Sequence, residues 1–277
     1  MTVNFRQRAR EALARAKEEM ASGSDARLHY AALELRMAIE CVTYERARSY
    51  EKELPPTEYD TWQPSKLMKE LLEIDPDADA SATFSFGIED VPGEHAKEMK
   101  ALGAEKVFNL AAIKGSYDAL GSYLHQPTLK HLNKGGHDLR KARLKFVCIA
   151  DQLDEVLSSP IFNIKFGNFT SFQCMNDDCG RQIRKRIPRG AESVIAECFD
   201  CKAQHEITVG GNGQCVARPL VQDVKCANPS CEHALKLFKH ELRPGTHWTC
   251  TGCGTRSEIG LAVFAVPAAE GEEAAQA

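Results

Sequence analysis

The chain has 277 residues, of which 43% are apolar, 27% charged and 7% aromatic; 35 Lys and Arg against 39 Asp and Glu leave a formal charge of −4. Collagen-like, mucin-like and wholly disordered chains are excluded, and the length suits one large globular domain or two ordinary ones. No stretch reaches the roughly 18 consecutive apolar residues of a membrane span. The opening MTVNFRQRARE lacks the apolar centre of a secretory signal. The expectation is a cytoplasmic protein with no membrane partner, in which any nucleic-acid contact must come from a local patch.

Residues 1–158 read as a helical bundle. Asn4 to Ala21 is charged and Ala-rich and stops at Ser22-Gly23-Ser24. Asp25 is placed to cap the next helix, where Leu28, Ala31, Leu35, Ile39 and Val42 keep the 3/4 spacing of one buried face. Tyr30, Leu33, Met37 and Tyr44 form a second apolar stripe, which predicts a central helix buried on two sides and ended by Pro55-Pro56. Ser65 is expected to cap a short helix carrying Leu67, Met68, Leu71 and Leu72. After the acidic turn from Asp75 to Ala82, Thr83 to Ile88 alternates as a short strand does. Helical spacing resumes from Val107 to Leu124, breaks at Gly135-Gly136, and returns behind Asp138 with Leu139, Phe146, Ile149, Leu153 and Val156 facing inward. Cys41 and Cys148 read as small core residues within these helices.

The character changes at Ser159-Pro160. Ile161 to Phe166 and Phe169 to Phe172 look like strands, and cysteine-punctuated β structure continues to about residue 264. Nine of the eleven cysteines lie here. Cys174 and Cys179 are separated by four residues, Cys198 and Cys201 by two; Cys226, Cys231, Cys250 and Cys253 repeat that pattern. Each cysteine of the first quartet stands 52 residues before its counterpart, as two copies of one unit require. Four thiolates close a tetrahedral structural Zn²⁺ site, and the excursion between the pairs suits a hairpin that returns the second pair to the first. Disulfides and an iron–sulfur centre are the competing uses. With no coordination position left open, two Zn²⁺ per chain would hold structure and perform no reaction. Cys215, outside both quartets, is expected to be a free thiol.

The quartets resemble zinc ribbons over about residues 170–264. Expected boundaries are a bundle at 1–158, ribbons at 161–209 and 214–264, and a disordered tail at 265–277, giving an α+β multidomain chain: an all-α bundle with minor β, then tandem β ribbons. In the first ribbon Arg181, Arg184, Lys185, Arg186 and Arg189 are candidates to contact nucleic-acid phosphates. The opposing use is charge balance: eight thiolates and two zinc ions carry −4, so a region with 12 Lys and Arg against 10 Asp and Glu is about −2 with metal. The second ribbon's excursion is more apolar, with Leu235, Leu237, Phe238 and Trp248. There Trp248 either stacks on a base or packs within the protein.

Ala31 to Glu40 and Leu120 to His125 resemble segments of HEPN-like helical domains, a likeness spanning about residues 25–158. Active members of that family are metal-independent RNases with an Arg followed, after four to six residues, by a His. None of the nine histidines here has an Arg at that spacing; Lys130 stands before His137, and Lys lacks the bidentate guanidinium. The resemblance therefore implies a non-catalytic relative used for dimerisation or binding, with prokaryotic defence or mobile-element biology as its setting. His125, His131 and His137 recur every six residues but read as loop and helix-end histidines. No phosphate-binding loop, nucleophile elbow or HExxH helix occurs, and Glu34 and Glu40 do not share a helical face. The expected function is a non-enzymatic zinc-binding adapter that contacts nucleic acid through ribbon 1, or a protein or its own copy through the bundle. Its alternatives are an RNase using His125 or His137 with Lys130, and a purely protein-binding scaffold.

Overall fold

The computed structural model describes residues 3–54, 63–91, 94, 96–133, 136, 138–164, 168–188, 190–211 and 213–262. Pro55-Pro56, Gly135, His137 and Arg189, together with the expected tail, lie outside them. Two compact units result: Met1–Phe172 with Gln182–Glu192, and Gln173–Arg181 with Ser193–Ala277. The fold is mixed α+β, helices in the N-terminal part and small antiparallel strand sets in the C-terminal part. Among the described residues no helix is long and apolar enough to cross a membrane.

In the first unit, α1 (Phe5–Ala21) begins where the Asn4 side chain accepts a 2.9 Å hydrogen bond from the Gln7 amide. It buries Ala9, Ala12, Leu13 and Ala16, and lies along α2 (Leu28–Arg48), whose Ala31, Ala32, Leu35, Ala38 and Ile39 are also buried. Alanines on both helices keep the two backbones close. Helix α2 is central, as expected, touching α1, α3 (Pro64–Ile74), α4 (Leu110–Leu124) and α6 (Leu139–Ser158). Of its second stripe, Tyr44 is half-buried against Phe5, ring centres 5.4 Å apart, but Tyr30, Leu33 and Met37 are 60%, 46% and 41% exposed. Among the described residues the neighbours flank α2 and leave Tyr30, Leu33 and Met37 between them uncovered.

Other local expectations change. Asp25 opens a 3-10 turn, Asp25–Arg27, and its carboxylate accepts from Arg143 at 2.7 Å. Gln63, not Ser65, precedes α3, whose first residue is Pro64; the fixed proline φ starts a helix without a side-chain cap. Asp138 does cap α6, accepting from the Arg140 and Lys141 amides. Cys148 is exposed and Cys41 half-buried, so neither is a core residue of the expected kind. Between the acidic turn and α4, β1 (Ala82–Phe86) pairs antiparallel with β2 (Lys100–Glu105), a strand not foreseen, with a register shift between Phe84 and Ser85. After α4 and the short α5 (Leu129–Leu132), α6 ends on carbonyls that are satisfied from α1. Arg6 donates to the oxygens of Val156, Leu157 and Ser159 at 2.8, 3.1 and 3.2 Å, and Arg10 to Leu157 at 2.9 Å. Cations at a helix C-terminus complement both its free carbonyls and its dipole.

Residues 161–164 are not a strand, and Lys165 and Phe166 lie outside the described residues. Asn163 takes a left-handed φ of 59°, held by its amide on Glu105 and its side chain on the Glu45 carbonyl at 3.1 Å. Strand structure starts at β3 (Asn168–Gln173), which pairs with β4 (Gln182–Ile187).

The remaining strands are β5 (Ser193–Glu197), β6 (Gln204–Val209), β7 (Cys215–Pro219), β8 (Val221–Lys225), β9 (Ala234–Phe238), β10 (His247–Thr249) and β11 (Arg256–Glu258). They form a three-stranded sheet β5-β6-β7 and the hairpins β8-β9 and β10-β11. The 52-residue period of the cysteines extends to the backbone. Moved by 52, β3, β4, β5 and β6 fall on β8, β9, β10 and β11, and the pair Ala196↔His205 becomes Trp248↔Ser257. Strand β7 has no counterpart among the described residues.

Candidate metal centres

Each quartet is assembled from two tight turns. In the first turn of each, Asn176 or Asn228 accepts the amide of the following cysteine through its carbonyl: Cys179 at 2.9 Å, Cys231 at 3.0 Å. The same asparagine accepts a second amide through its side chain, from Asp178 at 3.1 Å or Ser230 at 3.0 Å. Across the turn the amide of Cys174 meets the Arg181 carbonyl at 2.7 Å, and that of Cys226 the His233 carbonyl at 3.0 Å. In the second turn the amides of Cys198 and Cys250 bond the carbonyls of Ala203 and Thr255 at 2.9 and 2.8 Å. These bonds point both sulfurs of each turn to one side.

The result is two cages, Cys174, Cys179, Cys198 and Cys201, and Cys226, Cys231, Cys250 and Cys253, whose sulfurs lie within 4.8 Å of one another. Cys174 and Cys201 are 3.5 Å apart, Cys179 and Cys198 3.7 Å; Cys226 and Cys253 are 3.6 Å apart, Cys231 and Cys250 3.9 Å. A tetrahedron with metal–sulfur bonds of about 2.3 Å has edges of about 3.8 Å. A disulfide would need about 2.05 Å, and all eleven cysteines are free. The donor set and its spacing fit a tetrahedral, thiolate-preferring cation.

No family model, curated protein or solved structure matches the chain. No match supports a HEPN-like domain over residues 25–158.

The two cages differ in their surroundings. Cys174 and Cys198 are buried in the first, whereas only Cys250 is buried in the second and Cys253 is exposed. Burial pushes the Cys174 and Cys198 thiols up. Hydrogen bonding from the hydroxyl and amide of Thr255 holds Cys253 down at about 6. A cation bound by these four sulfurs would displace the remaining protons, since only thiolates are ligands.

Sequence reasoning missed His205. Its ring is fully buried and Nε2 accepts the Met175 amide at 3.0 Å, tying strand β6 to the first cysteine turn. Burial lowers its pKa, which keeps the ring neutral and able to accept. It also lies against Phe238, ring centres 5.8 Å apart. The signal was available: position 205 is repeated at 257, where a serine stands.

The candidate phosphate-binding cations are placed differently. In the first unit Arg186 lies 2.7 Å from the Asp75 carboxylate and also bonds Asp77, while the Tyr50 hydroxyl donates to Asp75 at 2.7 Å. Lys185 is buried, its ammonium on the Glu73 carbonyl, and Arg184 is 3.8 Å from Glu53. The acidic turn from Asp75 to Ala82 thus receives β4. In the second unit Arg181 pairs with Asp200 at 3.0 Å and stays 73% exposed. Of the residues weighed for catalysis, His125 ends α4 on the surface; the side chains of Lys130 and His131 and all of His137 lie outside the described residues.

Proposed function

We propose that the protein is a non-enzymatic adapter whose C-terminal unit folds around two structural Zn²⁺ ions. The observation that carries this reading is the completeness of each cage: four sulfurs at tetrahedral spacing leave no position for water or substrate. Zn²⁺ would supply folding free energy there, on the order of 10–16 kcal/mol per site in small zinc peptides. Strand β4 directs Arg184, Lys185 and Arg186 to carboxylates of the helical unit. In our reading these cations organise the chain and do not bind phosphate.

Association then falls to the helical unit, as it does in the non-catalytic HEPN-like reading. Tyr30, Leu33 and Met37 stand at 3/4 spacing on one exposed line of α2. In our reading this line meets a second copy of the chain about a two-fold axis, residue i of one copy against residue j of the other and j against i. Metal analysis with light scattering tests both parts. Two zinc per chain and a dimer that dissociates in the Leu33→Glu/Met37→Glu variant support the adapter. A zinc-free folded chain removes the metal reading, and a dimer unchanged by the substitutions removes the α2 interface. Tight binding of RNA or DNA lost on Arg181→Glu would instead favour nucleic acid as the partner.

A further inference from the structure

The sibling cages share a backbone but not a degree of protection. In the first, two of four sulfurs are buried, His205 ties the leading turn to strand β6, and the trailing turn sits on a sheet continued by β7. In the second, one sulfur is buried and Ser257 stands where the first has the buried His205. There the tie between the turns is an exposed contact of His233 Nε2 with Thr251 Oγ1 at 2.9 Å, and the trailing turn rests on strands of three residues each. Fewer ladder bonds among the described residues and more exposure lower the cost of local opening. Cys253 is both the exposed ligand and the one 3.6 Å from Cys226.

We propose that Cys253 and Cys226 form a peroxide-oxidation site, so that the second ribbon surrenders its metal while the first retains it. The inference rests on the metal loading proposed above. Cys253 thiolate attacks the peroxide oxygen; the O–O bond breaks, giving the sulfenic acid and hydroxide. Cys226 thiolate then attacks that sulfur, forming the S–S bond and expelling a second hydroxide. Two protons convert the hydroxides to water, two thiolates are oxidised by two electrons, and hydrogen peroxide is reduced. A cation left with two of its four thiolates departs. A dithiol with added Zn²⁺ reverses the change.

The test uses the full zinc-loaded chain and hydrogen peroxide, with released zinc followed by a chromophoric chelator and disulfides mapped by mass spectrometry. One of the two zinc equivalents should leave in a fast phase, with a Cys226–Cys253 disulfide formed and Cys174, Cys179, Cys198 and Cys201 still thiols. Cys253→His keeps a zinc ligand that cannot form the disulfide, and it should slow the fast phase about tenfold or more. Release of both equivalents at one rate overturns the proposal, as does first oxidation in the first cage or a fast phase unchanged in Cys253→His. If no zinc is bound at the outset, both this inference and the adapter reading fall; two bound zincs released together sink this inference alone.

Discussion

Lys202 and Gly254 occupy the same place in the two ribbons, 52 residues apart. Their φ angles are 63° and 74°, and their amides bond the carbonyls of Cys198 and Cys250 at 2.9 and 2.8 Å. The turn after each second cysteine pair demands a left-handed residue, which glycine adopts freely and lysine at a cost of about 1–2 kcal/mol. Lys202→Gly should therefore stabilise the first ribbon by about 0.5 kcal/mol once the added freedom of the unfolded chain is subtracted. Gly254→Ala should destabilise the second by about 1 kcal/mol, through torsion alone, because a Cβ there meets nothing within 4 Å. Urea unfolding of the metal-loaded variants measures both signs.

Arg186 and Arg181 belong to one basic run but should behave oppositely. Arg186→Met leaves the Asp75 carboxylate, 3% exposed, with Tyr50 but without its cation. Stripping one partner from a buried ion pair costs about 3 kcal/mol. Arg181→Ala breaks an exposed pair with Asp200 and should change stability by less than about 0.5 kcal/mol. Thermal unfolding of the two variants side by side tests the contrast; equal, small effects would return the run to the solvent-facing role.

Stability should also fall in alkali. Burial and the hydrogen bond to Asp75 raise the Tyr50 phenol, and burial with the Glu40 bond raises Tyr117 to about 12. A folded pKa above the unfolded value of about 10 means the folded chain holds its proton longer. That stabilising contribution is complete below about pH 10 and is lost as pH rises through the folded value. Denaturation between about pH 9 and 12 should show the decline, and Tyr50→Phe should make it shallower.

Chelation should separate the two parts of the chain. A strong chelator should abolish the strand signal of the C-terminal unit, while far-ultraviolet helical dichroism persists, because α1, α2, α4 and α6 bury Leu35, Ile39, Leu120, Phe146 and Ile149 without any metal. Helix and strand signals disappearing together would show that the helical unit depends on the cages.

What could be read beforehand follows from how local each feature is. Eight cysteines at a fixed period translate directly into two cages because the turns that carry them are set by neighbours, Asn176 and Asn228 among them. The faces of α3 and α6 were equally legible, since 3/4 spacing is itself geometry. Partners distant in the chain were not. Nothing near Arg186 says that its carboxylate comes from Asp75, and nothing near Thr83–Phe86 names Lys100–Glu105 as its pairing strand. Tyr30, Leu33 and Met37 look buried by composition, yet only the positions of the other helices decide whether an apolar stripe is covered. Asn163 is the sharpest case. The alternation around it suggested a strand, but contacts from Glu105 and Glu45 hold it in a left-handed turn.

X-ray absorption at the zinc edge, combined with elemental analysis, asks most directly whether each quartet encloses its own ion. Two zinc per chain are predicted, each with four sulfur neighbours at about 2.3 Å and no lighter ligand. One zinc or none per chain, oxygen or nitrogen in the coordination shell, or sulfurs bonded to one another would contradict it.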